Sequence, residues 1–383
     1  MNTKKIKILY LVSTLKRCGP IFVLGNIIKY LDRAKFEPLV LTLSPESQDS
    51  MRAYFEDELD TEVNTLGLSR IQGIFFAKKK ISYFIKKKNI SIVHSHGFRP
   101  DYLISQVNNV KKISTLHNYP YYDYKMTYGR FKGYVMAKLH LNCLKNFDTP
   151  VVVSESISKM LIKKKYTLSY VRNGADIEKF DGLDKFKMRE KLGFKKKEII
   201  FISVGHLNLR KDPITIINAF KQVRKKNVKL IFLGDGPLKQ DCINIIKDDD
   251  NIYFKGRVKN VNEYLSASDY FISASLAEGL PNTVMEAMAS GIPCLLSDIP
   301  PHQEIYLLDV HSSKIFKQKN INDCILKFNE IRELDYSIMS NAAKKVARNY
   351  LNANKMSLEY QEIYSKLKIE SQRKKNSIHN YSL

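Results

Sequence analysis

Two glutamates, Glu278 and Glu286, stand with seven residues between them in the segment Ala277-Glu278-Gly279-Leu280-Pro281-Asn282-Thr283-Val284-Met285-Glu286-Ala287. A carboxylate is a two-oxygen acceptor, suited to the paired hydroxyls of a ribose or a sugar ring. Gly279 and Pro281 mark a tight loop, Asn282 is a good helix N-cap, and Gly291 with Pro293 closes a helix that runs to Ser290. The N–H groups of Thr283 and Val284 then point out of the helix start, where the helix dipole and free donors hold phosphate. Glu278 lies on the loop before the helix and Glu286 about one turn inside it, so both face one ligand at different depths. An arbitrary glutamate pair is usually a solvated loop residue and a surface helix residue. The loop, the helix start and the small residues Ala287 and Ala289 occurring together favour a site.

The elements that must position these groups alternate short apolar runs with helical periods. Strands are predicted at Ile6–Val12, Pro38–Leu43, Glu62–Leu66, Ile90–His94, Lys112–Leu116, Val151–Ser154 and Tyr170–Arg172, with helices such as Ile21–Leu31 and Phe75–Lys88 between them. The pattern restarts with strands at Ile199–Val204, Lys229–Leu233, Ile252–Phe254, Tyr270–Ser273 and Cys294–Ser297. Strands separated by helices read as parallel βαβ units. The turn and charge signals over 173–197 divide two doubly wound α/β domains, 1–180 and 181–383. A last helix at about 355–368 carries Tyr360, Ile363, Tyr364 and Leu367 on one face and is expected to pack back on the first domain, with a frayed tail after 370. Two such sheets present the carboxyl ends of their strands to a central cleft, where these folds bind ligands. His94, His96 and His117 end first-domain strands on that side. Gly19 precedes Pro20, a helix-start residue.

Composition narrows the classes. No run of eighteen apolar residues is present, so no spanning helix is expected. The N-terminus reads as a strand rather than a signal peptide. The five cysteines are scattered and form no CxxC, which fits a reducing cytoplasm and argues against a disulfide framework or zinc site. The sequence has neither Gly-x-Gly-x-x-Gly after the first strand nor a P-loop, which disfavours dinucleotide dehydrogenases and P-loop NTPases. The net charge is +24, and residues 1–180 hold 30 Lys+Arg against 15 Asp+Glu. Clusters at Lys78–Lys80, Lys86–Lys88 and Lys163–Lys165 suit solvated surfaces or an anionic membrane face. No nucleic-acid recognition motif accompanies the charge, and no nucleic-acid partner is expected.

The segment EGLPNTVMEAMASGIP resembles the donor-site signature of the retaining GT-B glycosyltransferases of family 4, also called glycosyl transferases group 1. The resemblance implies a GT-B fold of two Rossmann-like domains. In it Glu286 binds the donor ribose, Glu278 contacts the transferred sugar, and the backbone from Asn282 to Val284, with Gly279 and Pro281, holds the diphosphate. Val204-Gly205-His206-Leu207-Asn208-Leu209-Arg210-Lys211 is similar to a Gly-Arg-Leu…Lys loop that neutralises the leaving diphosphate. Lys211 matches the Lys, His206 stands where the family has Arg, and Arg210 is nearby. Leu233-Gly234-Asp235-Gly236-Pro237 resembles the family's Gly-x-Gly-Pro loop, and Gly256-Arg257 a segment lining the base. In the first domain Gly19 stands for the usual Gly-Gly pair, His117 resembles a strand-end His beside the reacting sugar, and His96-Gly97 an acceptor-side loop.

The resemblance thus implies transfer of a hexosyl or N-acetylhexosaminyl group from a nucleotide-diphosphate sugar, with UDP favoured, to a hydroxyl of a saccharide or undecaprenyl-type lipid-linked saccharide. Such transfer belongs to bacterial surface polysaccharide synthesis, in the cytoplasm or peripherally on the cytoplasmic membrane face. It implies retention, no metal and no cofactor, with Lys211, Glu278 and His117 as catalytic residues. Charge on the leaving diphosphate is the largest demand on the site. The alternatives are a nucleotide-sugar 2-epimerase of the same architecture, or a non-enzymic protein binding anionic membrane or nucleic acid.

Overall fold

The computed structural model describes residues 5–223, 227–247 and 249–380, the stretch 374–380 by its backbone alone. The chain divides into two compact units: residues 1–172 with 353–383, and residues 173–352. Relative to the expected boundary at 180/181, residues 173–180 belong to the second unit and the final helix to the first.

Unit 1 is built from β1 (Ile6–Val12), α1 (Gly19–Lys29), β2 (Phe36–Thr42), β3 (Glu62–Thr65), α2 (Arg70–Lys88), β4 (Ile92–His96), α3 (Phe98–Ser105), β5 (Lys111–Leu116), α4 (Pro120–Tyr128), α5 (Arg130–Cys143), β6 (Thr149–Val152), α6 (Glu155–Ile162) and β7 (Ser169–Tyr170). Its parallel sheet has the order β3-β2-β1-β4-β5-β6-β7. The strands are apolar runs because helices cover both faces, and Ile8 to Val12 are all buried. Unit 2 continues with α7 (Lys185–Leu192), β8 (Ile199–Val204), α8 (Pro213–Val223), β9 (Val228–Leu233), α9 (Lys239–Ile246), β10 (Ile252–Phe254), α10 (Val261–Ala267), β11 (Tyr270–Ser273), α11 (Asn282–Ala289), β12 (Cys294–Ser297), α12 (Pro300–Leu308), β13 (Ser313–Phe316), α13 (Ile321–Glu333) and α14 (Tyr336–Tyr350). Its sheet has the order β10-β9-β8-β11-β12-β13, again parallel, around a core in which Phe201 stacks on Phe328 at 4.1 Å.

Strand order reverses between β1 and β4 in unit 1 and between β8 and β11 in unit 2. At such a switch point the connections leave to opposite sides of the sheet and open a crevice at the carboxyl ends. The loops after β1 and β4 carry Gly19, His96 and Gly97, and those after β8 and β11 carry Gly205 to Lys211 and Glu278 to Glu286.

The last helix, α15 (Ala353–Asn380), packs on α1 and is part of unit 1. Tyr360, Tyr364 and Leu367 are buried, and Ser357 Oγ donates to the carbonyl of Ile27 at 2.8 Å. The two tyrosine hydroxyls are satisfied inside the core: Tyr364 pairs with His94 Nδ1 and Tyr360 with Thr115 Oγ1, each at 2.7 Å. Buried hydroxyls left unpaired would cost about 1–3 kcal/mol each. The helix continues to Asn380, beyond the point where fraying is expected. Gln372 and Arg373 are exposed and good helix formers, so local propensity rather than burial carries the helix past 370.

Candidate functional site

The β8 and β11 loops of unit 2 meet at Glu278. Its side chain is only 7% exposed, and Lys211 Nζ lies 2.6 Å from Oε1 while Arg210 Nη1 lies 3.6 Å from Oε2. Burial alone would raise its pKa. The two cations and hydrogen bonds from Lys211 and Ser275 overcome that and hold it down at about 2, so it is ionised. The cations are placed by their own loop. Asn208 accepts from the Lys211 N–H through both its side chain (3.0 Å) and its carbonyl (3.1 Å), and Asp212 caps Thr215 at the start of α8. The carbonyl of Arg210 accepts from the N–H of Leu276 at 2.7 Å, tying the two loops together.

A chain of bonds supports Glu278 from behind. Ser297 Oγ donates to the Ser275 carbonyl at 2.6 Å, and His302 Nδ1 lies 3.0 Å from the Ser297 carbonyl. That contact puts the imidazole proton on Nδ1 and leaves Nε2 a buried acceptor with no partner among the described residues. Burial pushes the pKa of His302 down to about 4 against the pull of Glu278. His302 has no signal in local sequence; only α12 folding back under the β11 loop brings it in.

Glu286 lies one turn into α11. Burial pushes its pKa up to about 7, opposed weakly by Lys179. Lys179 stands on a short turn, Ile177–Phe180, that touches α11. Asn173 is buried, with Nδ2 donating to the Leu280 carbonyl at 3.2 Å and Oδ1 without a partner among the described residues. The Asn173-Gly174 pair signalled a turn in the sequence but not this contact across the chain to residue 280.

The start of α11 differs from expectation in two details. Pro281, with extended backbone, is the N-cap and Asn282 the first helical residue. Pro281's carbonyl takes the N–H of Val284 at 3.2 Å, so that donor is engaged. Proline fits here because its carbonyl accepts the first bond while its missing N–H costs nothing. Thr283, in the first turn, keeps its N–H without a backbone partner among the described residues. Gly291, at φ 78°, closes the helix as read from sequence.

The neighbouring loops pack backbone on backbone. A Cβ on Gly234 would fall 1.9 Å from the carbonyl oxygen of Gly205, and one on Gly236 would fall 2.3 Å from that of Leu207. Gly234 N–H donates to the Gly256 carbonyl at 2.7 Å. Glycine here serves close approach of the β8, β9 and β10 loops. His206 is exposed and takes no part in the Glu278 cluster; Arg210, four residues on, reaches it instead. Arg257 is exposed.

In unit 1, Gly19 opens α1 behind the extended Cys18. His96 ends β4 and His117 follows β5. Their rings stack at 5.2 Å, with His96 Nδ1 2.9 Å from His117 Nε2. Burial pushes His117 down to about 3 and His96 well below the ordinary range, so the pair is neutral. His96 Nε2 is buried without a partner among the described residues. Gly97 caps α3 at φ 94°, in the left-handed region that favours glycine. His94 instead joins the core, bonded on both nitrogens to Tyr364 and Thr115. Among the described residues no group of three or more His, Cys, Asp or Glu is placed to hold a metal ion.

Comparison with known proteins agrees with this layout. Residues 22–179 match the model of Glycosyltransferase Family 4 and residues 184–349 that of Glycosyl transferases group 1. The chain is 26% identical over 376 residues to the O-antigen biosynthesis glycosyltransferase WclY of Escherichia coli, covering 94% of this chain and 99% of that one. It is 28% identical over 271 residues to UDP-Gal:alpha-D-GlcNAc-diphosphoundecaprenol alpha-1,3-galactosyltransferase of the same organism, covering 66% of this chain and 67% of that one. Among solved structures, sucrose-phosphate synthase of Thermosynechococcus elongatus superposes with a TM-score of 0.81 at 16% identity, covering 94% and 99% of the two chains. Anabaena HepE, in complex with UDP-glucose, superposes at 0.76 and 17% identity, covering 94% and 100%.

Proposed function

The chain belongs to the GT-B glycosyltransferases of family 4, and on that premise we propose that it transfers a hexosyl or N-acetylhexosaminyl group, with retention, from a UDP-sugar to a hydroxyl of a lipid-linked saccharide. The observation that carries the donor half is the buried, ionised Glu278 held by Lys211 and Arg210 at the unit 2 switch point. Before a donor arrives, the cations are neutralised by Glu278. An incoming diphosphate competes for them, and Lys211 and Arg210 then stabilise the charge that grows on the leaving group. Glu278, freed of its partners, accepts hydroxyls of the transferred sugar. Glu286 accepts the ribose diol, and Gly279, Pro281, Asn282, Thr283 and the first turn of α11 face the diphosphate. Gly205, His206, Gly256 and Arg257 line the nucleotide.

In unit 1, Gly19, His96, Gly97 and His117 are assigned to the sugar and acceptor. The neutral His96–His117 pair can orient a hydroxyl by hydrogen bonding. No carboxylate is assigned as nucleophile, so we favour same-face attack assisted by the leaving phosphate, without metal or cofactor. The UDP-sugar and diphosphoundecaprenol named for the E. coli relative, and the UDP-glucose bound to HepE, support this donor and acceptor class. An acceptor of that kind sets the reaction in bacterial surface polysaccharide synthesis, at the cytoplasmic face of the membrane.

A thermal-shift screen of UDP-, GDP-, ADP- and CMP-sugars tests the donor, with UDP-sugars expected to stabilise most. NMR of the product's anomeric proton tests retention. Absence of stabilisation by every nucleotide sugar would sink the donor reading. Isomerisation of donor alone, with no acceptor, would identify a 2-epimerase instead.

A further inference from the structure

A buried chain of hydroxyls beneath the His96–His117 pair is left unused by the glycosyl-transfer reading. His94 lies two residues before His96, on the same face of β4. Its Nδ1 meets the Tyr364 hydroxyl and its Nε2 meets Thr115 Oγ1, each at 2.7 Å. The chain continues at both ends: Tyr364 meets the Tyr10 hydroxyl at 3.3 Å, and Thr115 meets the Tyr360 hydroxyl at 2.7 Å. Tyr10, His94, Thr115, Tyr360 and Tyr364 are all fully buried. A neutral imidazole has one donor nitrogen and one acceptor nitrogen, so His94 has both engaged.

Packing alone does not call for this chemistry. Ile113, the register partner of His94 on β5, fills the neighbouring place on the sheet with hydrocarbon and needs no partner. A buried imidazole does need them, because each polar atom left unpaired is costly. What His94 has above it is different. Its ring centre lies 4.4 Å from that of His96, which stacks in turn on His117. His96 is tied by hydrogen bonding only through Nδ1, to His117. The placing of its ring therefore depends on the side chains it packs against, His94 and, at 6.4 Å between ring centres, Tyr10.

Two of the chain's hydroxyls come from α15, and α15 is pinned lengthwise along α1. Ser357 Oγ donates to the Ile27 carbonyl, Gln361 Nε2 donates to the Tyr30 carbonyl at 3.0 Å, and Gln361 Oε1 accepts the Asp32 N–H at 3.1 Å. A slip of one turn, about 5.4 Å, would take both tyrosines away from their partners. We propose that Tyr364 and His94 are positioning residues for transfer: α15 fixes His94 at both nitrogens, His94 seats His96, and His96 holds His117 towards the reacting sugar and acceptor. The role of His117 rests on the proposed function; the hydrogen-bonded chain beneath it does not.

Tyr364→Phe removes one hydroxyl and keeps the ring. It should lower kcat by about 10-fold, as loss of one positioning hydrogen bond does. Donor affinity measured by calorimetry with a UDP-sugar should equal that of the wild type, because the donor residues lie in unit 2. NMR of the full chain with isotopically labelled histidine should show the ring-nitrogen signals of His96 and His117 displaced, and those of His206 and His302 in place. Tyr360→Phe, which shortens the chain at its far end, should act in the same direction and more weakly; it carries the test if Tyr364→Phe does not fold. Wild-type kcat in the folded Tyr364→Phe variant, an equal fall in donor affinity, or His117 signals unmoved by either change would overturn the assignment. If the wild type transferred no sugar, the proposed function would fall, and the histidine signals, which need no substrate, would still decide whether the α15 tyrosines set the pair.

Discussion

At the carboxyl ends of β8 and β11, Glu278 is buried and charged because Lys211 and Arg210 are folded against it. At the carboxyl ends of β4 and β5, His96 is buried and His117 half-buried against it, both are neutral, and the ionisable neighbours that act on His96 are histidines. The first cluster spans the switch point of its sheet and the second lies between the strand beside the switch point and the next strand outward; one stores charge and the other excludes it. Desolvation acts on both; the difference is whether a partner of opposite sign is supplied. A charged cluster can exchange Glu278 for a diphosphate without first burying new cations. A neutral imidazole pair can only orient groups by hydrogen bonds.

Removing the cation should break the contrast most severely. Lys211→Ala is expected to lower transfer by about 100- to 1,000-fold, as loss of one preorganised charge-stabilising donor does. Steady-state kinetics would show it mainly in kcat. Lys211→Arg should recover part of the loss, and unaltered turnover in the alanine variant would remove Lys211 from the mechanism.

Glu286 sharpens the comparison, since it is half-buried, desolvation outweighs the opposing Lys179, and it sits near neutrality. Losing charged hydrogen bonds to a diol is worth about 1.5–3 kcal/mol, so Glu286→Ala should weaken donor affinity by roughly 10- to 100-fold. Calorimetry on the wild type should find affinity falling as pH drops through about 7, because the carboxylate must be ionised to accept both hydroxyls. A Glu286→Gln variant should bind with a flat profile; an equal slope in both would assign the titration elsewhere.

Acid stability separates the two clusters. The histidines have folded pKa values below their ordinary 6.5, so unit 1 should lose stability as pH falls from about 6.5 towards 3. Glu278, depressed from 4.5 to about 2, should contribute stability above about 4.5 that is lost only as pH falls towards 2. Hydrogen exchange followed by mass spectrometry across pH 7 to 4 should therefore show the greater loss of protection in β4 and β5, where three histidines carry this load against His302 alone behind the β11 loop. Greater loss in β8 and β11 would contradict the assignment.

The smallest effect is expected at His302, which touches Ser297 rather than the reacting groups. His302→Asn keeps a donor for the Ser297 carbonyl and should leave kcat within a few-fold of wild type, whereas His302→Phe should lower it by about 10-fold through loss of one positioning hydrogen bond. Equal kcat in both variants would show that His302 serves packing alone.

Much of this architecture was legible beforehand. The buried parallel strands are continuous apolar runs, and Ile6–Val12, Ile199–Val204, Ile252–Phe254, Tyr270–Ser273 and Cys294–Ser297 begin and end where read. The strand Ser313–Phe316 was missed because Ser-Lys-Ile-Phe lacks an apolar run and is recognised only by its pairing with β12. The helices α4 and α5 went unread because their tyrosines, lysines and glycines blur the helical period. The Glu278–Lys211 pairing was half legible: both residues stand out in their loops, but their 67-residue separation hides the contact.

By itself the sequence determined the α/β alternation, the division into two doubly wound domains and the family signature around Glu278 and Glu286, because these depend on local periodicity, turn chemistry and spacing. Tertiary structure decided that Arg210 rather than His206 meets Glu278, that Pro281 caps α11, that His302 and Asn173 support the site, and that His94 belongs to the core with Tyr364. Those outcomes turn on which side chains are desolvated together. Desolvation depends on elements far apart in the chain, so no local pattern of residues encodes it.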